Sequence, residues 1–212
     1  MLQRNVRVIK PTIKSRFTAA LIVCIGMLGC SRQASVVVLP EDDEWREGDL
    51  VLRGGESMES WAVKHQSSSI YSHIGMLHYD SLLGEWQVVH AVPGEDQPEY
   101  LKKESVTQFF RPDRAQCGAW LRLRCNDTIA QQAVQYALRK VEQHVLFDEQ
   151  YLLEDTTRLY CTELIWRSYL AQGIDVSGGR RTDVPSLCSK EGKCIFPSDI
   201  EKSETTLFVK PF

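Results

Sequence analysis

The apolar positions of this chain recur with two different periods, and the change from one to the other predicts its elements. Alternation over short runs predicts strands at Leu50 to Arg53, Ser72 to Tyr79, Trp86 to Val92 and Trp120 to Arg124, with a closing strand at Thr206 to Lys210. Only Asp80 to Gly84 separates the second run from the third. That connection is short and polar at both ends, so the two runs are expected to pair as an antiparallel hairpin. A helical period takes over in three places. Met58, Trp61, Ala62 and His65 recur at i, i+3, i+4 and i+7 spacing. Ala130, Ala133, Val134, Ala137, Leu138 and Val141 form one stripe after Asn126, where Thr128 and Gln131 suit a capping box. A third helix is expected from near Cys161 to Gly173, burying Leu164, Ile165, Ser168 and Tyr169. Thr107 to Arg111 fits neither period. The resulting order, without repeats, is that of an α+β domain with an antiparallel sheet packed against helices.

Charge changes the picture at the N-terminus. Residues 1–29 hold five basic side chains, Arg4, Arg7, Lys10, Lys14 and Arg16, and no acidic one. Without them the chain has 20 basic against 28 acidic side chains, a net charge of −8. So acidic a body repels phosphate backbones, and nucleic acid is excluded as a partner. The apolar run Phe17 to Gly29 would reach only about 20 Å as a helix, short of a bilayer's hydrocarbon core. A basic segment followed by a short apolar run describes a secretory signal. Met27-Leu28-Gly29-Cys30 is similar to a bacterial lipobox, which implies lipidation of Cys30. The expected organisation is a lipoprotein signal peptide over 1–29, lipidated Cys30 and a tether over 30–44, and a single folded domain over 45–212. It places the protein outside the cytoplasm, anchored by lipid and facing the periplasm from the outer membrane.

Export makes cysteine pairing relevant. Cys188 and Cys194 bracket a short polar loop with a glycine and are candidates for a disulfide. Cys117 and Cys125 flank an expected strand, whose eight residues hold their ends about 26 Å apart, too far to bridge. Parity still leaves at least one free thiol.

Two places concentrate reactive groups. If the hairpin is symmetric about Ser81 and Leu82, His73 and His90 face each other directly across the strand pair, on one side of the sheet. Cys161 sits in the first turn of its helix, where unpaired backbone N–H groups favour a thiolate, and an imidazole would stabilise it further as an ion pair. Cysteine nucleophile, histidine base and a second polar group to hold the base are the parts of covalent catalysis. Two other arrangements are open. His73, His90 and Cys161 suit zinc chemically, although no fourth ligand is evident. A non-catalytic envelope module could also keep the fold and bind peptide or lipid. Glu163 is expected one turn away on the helix surface or capping a loop, and Asp49 at a strand entry.

These residues resemble a family. His73-Ile74-Gly75 followed by Val88-Val89-His90-Ala91 is similar to the His-x-Gly and His-Ala segments of NlpC-type papain-like amidohydrolases. Tyr160-Cys161-Thr162-Glu163-Leu164 follows them, as in the circularly permuted, YiiX- and YaeF-like branch. Gly48-Asp49, Phe147-Asp148 and Pro197 to Ile200 sit where that branch has comparable segments, and the likeness spans roughly residues 47–200. The resemblance implies a circularly permuted papain-like fold and amide or ester hydrolysis through an acyl-enzyme, without metal or organic cofactor. It maps Cys161 to the nucleophile, His73 to the base and His90 to the orienting residue, where many relatives carry Glu. Tyr71, Tyr160 and Glu163 are candidates for contact with substrate. The substrate is expected to be an envelope peptide or lipid, with the chain acting as a monomer.

Overall fold

The computed structural model describes residues 36–93, 100–185 and 192–212. The signal, Cys30 and Cys188 lie outside these residues. Among the described residues, ten strands and five helices follow in this order: β1 Leu50–Gly54, α1 Met58–Ser67, β2 His73–Asp80, β3 Glu85–His90, β4 Lys102–Ser105, α2 Val106–Phe109, β5 Cys117–Leu123, α3 Asp127–Glu142, β6 Leu146–Phe147, β7 Arg158–Leu159, α4 Cys161–Leu170, β8 Thr182–Asp183, β9 Lys193–Cys194, α5 Pro197–Glu201 and β10 Thr206–Pro211. Six of the strands form one antiparallel sheet in the order β10-β5-β1-β2-β3-β4. The mixed α+β architecture with a large antiparallel sheet is the expected one. β4 was not expected, because Lys102-Lys103-Glu104-Ser105 is a charged edge strand with no apolar alternation to read.

Side-chain alternation along the strands separates two cores. Leu50, Leu52, Ile74, Met76, Val89 and Leu121 face α3 and α4, packing on Ala133, Val134 and Ala137 of the first and on Leu164, Ile165 and Tyr169 of the second. Val51, Leu77, Val88 and Trp120 face the other way, onto Trp45, Val106, Phe109 and Phe110. Val37 and Leu39 pack against this second cluster, so the end of the stretch expected as tether is docked on the sheet. Asp49 anchors the start of β1, accepting from Trp120 Nε1 at 2.9 Å and from Arg122 Nε at 2.8 Å.

Three local readings are refined. α3 is capped by Asn126, whose side chain accepts from Ile129 N at 2.9 Å, so the Asx cap acts two residues ahead of the Thr128 capping box. Thr107 to Arg111 falls mostly within α2, a single turn opened by Ser105. The Met58 stripe of α1 faces solvent rather than the core, with Met58 89% and Trp61 64% exposed.

The hairpin register also differs, and this matters for the site. β2 pairs with β3 as Met76 with Val89 and Asp80 with Glu85, two residues away from the symmetric expectation. The turn is the four residues 81–84. Asp80 Oδ1 accepts from Leu82 N and Leu83 N, and Gly84 closes the turn at φ 70°. A two-residue slip preserves the face of every side chain. His73 and His90 therefore stay on one face but sit diagonally, and the residue opposite His90 is Gly75. A Cβ at Gly75 would lie 2.2 Å from Val88 Cγ1 and 3.3 Å from both His90 Cβ and Phe109 Cε2. Gly75→Ala is expected to destabilise the fold by about 1–3 kcal/mol, since a buried β-branched neighbour cannot step aside. Urea unfolding of the variant beside the parent measures this.

Candidate active site

Cys161 opens α4, behind Tyr160 as N-cap. Tyr160 offers no side-chain cap. Glu163, third in the helix, reaches back to the Tyr160 backbone N–H. Glu163 thereby proves to be buried rather than on the surface, and its Oε1 accepts from Arg167 Nε at 2.7 Å. Burial raises its carboxyl to about 8, against the pull of Arg167. Its placement is that of a helix cap.

Cys161 and His73 belong to different sides of the sheet. Cys161 belongs to α4 and packs against the α3–α4 core. The His73 ring lies on the opposite face, stacked on Phe109 with centroids 5.6 Å apart. The expectation that the α4 N-terminus points at the histidine face is corrected accordingly. Both residues line one cavity of about 340 Å³, at the end of the sheet where β2 begins. The backbone of Ile74, next to His73, is hydrogen-bonded to the thiol. Arg53, Lys102 and Arg114 also line the cavity, with Val63, Phe147, Tyr151, Tyr160 and Ile195. Tyr160 keeps its hydroxyl on Ile195 N at 3.1 Å. Tyr71 is buried in the core and does not line the cavity, and neither does Glu163.

His73 Nε2 lies 2.9 Å from His90 Nδ1. Beyond it, His90 Nε2 is 3.0 Å from Glu104 Oε1, close in distance although oblique to the N–H direction. Glu104 in turn meets Arg114 NH1 at 3.1 Å and Lys102 Nζ at 3.4 Å. Glu104 is the residue that reading the sequence missed. Nothing in the charged run of β4 marks it, and only the pairing of His90 with Lys102 brings it alongside.

The electrostatics oppose a resting ion pair. Burial lowers His73 well below the usual imidazole range, helped by Arg53, His90, Lys102 and Arg114. Burial likewise lowers His90 to about 4, against the opposing pull of Glu104. Burial raises the Cys161 thiol to about 11, even though Thr162 and Ile74 backbone groups favour the thiolate. These directions work against the expected thiolate and imidazolium and favour a neutral thiol beside two neutral imidazoles.

No family model matches the chain, and no curated protein matches it. Among solved structures, the crystal structure of metalloprotein YiiX from Escherichia coli O157:H7 matches with a TM-score of 0.60. The fold is YiiX-like. The match covers 76% of this chain and 94% of YiiX at 19% sequence identity, so the likeness is one of fold. It includes the mixed α+β layout with its large antiparallel sheet.

Alkylation tests the neutral resting site. Iodoacetamide labelling of Cys161, read peptide by peptide, is expected to be slow at pH 6. Its rate should climb about tenfold per pH unit toward a thiol pKa of about 11 as the thiolate fraction grows. A rate already level from pH 6 upward would establish the ion pair instead.

Proposed function

We propose that this chain is a cell-envelope cysteine hydrolase of the circularly permuted, NlpC-type papain-like kind, cleaving an amide bond in an envelope peptide. The observation that carries the reading is the cavity shared by Cys161 at a helix N-terminus and His73, whose ring is held through His90. The basic segment, short apolar run and Cys30 support export and lipid anchoring, with the body held near a membrane.

With both groups neutral at rest, thiol deprotonation accompanies attack. The Cys161 proton passes to His73 as Sγ bonds to the carbonyl carbon. The first turn of α4 offers the Cys161 backbone N–H to the developing oxyanion. Collapse of the tetrahedral intermediate expels the amine, which takes the proton from His73 and leaves a thioester. Water, deprotonated by His73, then releases the acid and restores the thiol.

A zinc held by His73, His90 and Cys161 does not fit the residues as they are placed. Two nitrogen ligands of one tetrahedral zinc, each about 2.0–2.1 Å from it, stand roughly 3.3 Å apart. His73 Nε2 and His90 Nδ1 are 2.9 Å apart and hydrogen-bonded to each other. Among the described residues, no group of three or more His, Cys, Asp or Glu side chains is placed to hold a metal ion.

One observation favours a second reading, in which the substrate is a lipid or other ester. α1 contributes Ser60 and Val63, and its N-cap Ser57, to the edge of the cavity while presenting Met58 and Trp61 outward, an apolar surface suited to a membrane interface. The test is incubation of the mature body with muropeptides and, separately, with phospholipid vesicles, products being read by mass spectrometry. Cleaved muropeptides are expected. Free fatty acid with intact muropeptides would establish the second reading. Cys161→Ala should abolish turnover, and His90→Ala should lower it about ten- to hundredfold. Full activity in Cys161→Ala would end both hydrolase readings.

A further inference from the structure

We infer that Glu104 is a positioning residue that fixes the tautomers of both buried histidines and so leaves His73 Nδ1 as the site's proton acceptor. The inference rests on the hydrolase reading for its catalytic consequence, but the assignment of protons follows from geometry alone.

A neutral imidazole carries one N–H and one bare nitrogen, and which is which depends on its neighbours. Glu104 is ionised, because contacts with His90, Lys102 and Arg114 together outweigh its burial and hold its carboxyl at about 2. An ionised carboxylate only accepts. The nitrogen facing it at 3.0 Å, His90 Nε2, therefore carries the proton. His90 Nδ1 is then bare and must accept, so the hydrogen across the 2.9 Å contact belongs to His73 Nε2. That assignment strips His73 Nδ1 of its proton. It is the one imidazole nitrogen of the pair that faces neither the other ring nor Glu104 in a described contact, and it belongs to the residue that shares the cavity with Cys161.

The opposite assignment fails at each step. A proton on His90 Nδ1 would set a bare Nε2 against a carboxylate, lone pair to lone pair. It would also require His73 Nε2 to be bare and its Nδ1 protonated, which removes the base. Glu104 thus decides the state of an imidazole two contacts away, and Arg114 and Lys102 hold it in place.

During the reaction the thiol proton arrives at His73 Nδ1 and the ring becomes an imidazolium with both nitrogens protonated. The positive charge is then felt by Glu104 through His90, while Arg53 on β1, Lys102 on β4 and Arg114 ahead of β5 act against it. A carboxylate is therefore needed for charge as well as for tautomer.

The test is ¹⁵N NMR of the histidine side chains in the parent and in Glu104→Gln. In the parent at neutral pH, both His73 and His90 should show a bare Nδ1 and a protonated Nε2. Glutamine keeps the shape but presents an amide that donates as readily as it accepts. Both rings should then become tautomer mixtures, and kcat should fall about ten- to hundredfold with KM little changed. A parent His90 protonated at Nδ1 overturns the inference even if the variant does not fold. So do unchanged tautomers, or a kcat within twofold of the parent, in a folded Glu104→Gln. Failure of the hydrolase reading is separate: full activity in Cys161→Ala ends that reading and leaves the proton map standing.

Discussion

Burying two imidazoles against each other is the constraint on which the rest of this structure depends. Each ring must satisfy two nitrogens, and a buried polar atom left unpaired costs on the order of 1–3 kcal/mol. Three of the four nitrogens face a partner, and the order runs in one direction only, from Glu104 through His90 to His73. The space for it comes from Gly75, where any side chain would collide with Val88 and crowd both His90 and Phe109. Phe109 then serves as the floor, stacked on His73, edge-on to His90 and beneath the Arg53 guanidinium at 4.4 Å. Fold and chemistry meet in these few contacts, because the residue that makes room for the rings is also part of the hairpin that aligns them.

Legibility in the sequence followed the physics of each element. α3 and α4 were readable because an amphipathic helix repeats its apolar positions over several turns, and the expected residues, among them Ala133, Val134, Leu164, Ile165 and Tyr169, are buried. The faces of His73 and His90 were readable because strand parity survives a two-residue slip. Their exact opposition was not, because it depended on where the turn centres, and Asp80 and Gly84 moved that centre by one residue. The α1 stripe marked a helix but not a buried face. Periodicity reports amphipathicity without saying which face the protein covers, and here Met58 and Trp61 are left outside. Glu104 lay beyond any local signal, since its importance comes from a partner strand and from a loop cation ten residues away.

Two buried glutamates show how far the same side chain can be driven by its surroundings. Burial is the largest influence on both, and it acts upward on both. Glu163 has Arg167 as its cation and ends near 8; its Oε2 is left without a hydrogen bond. Glu104 has Lys102, Arg114 and the His90 ring, and ends near 2. Their roles differ accordingly. A carboxyl poised between protonation states can close a helix end in either form. One that must dictate a neighbour's tautomer has to stay an acceptor throughout the working pH range.

The neutral resting site follows from the same packing. A thiolate–imidazolium pair is favoured where the imidazole is well solvated or has an anion at hand, and His73 has neither in direct contact. Its nearest charged influences, Arg53, Lys102 and Arg114, are cations that oppose protonation. The only carboxylate in the chain of contacts is separated from His73 by His90. An anion at that distance stabilises a transient charge more weakly than a directly bonded one, yet it leaves the tautomer fixed at all times. The arrangement therefore exchanges a pre-formed nucleophile for a base whose free nitrogen is always in the right state, and the proton moves only when a carbonyl is there to receive the sulfur.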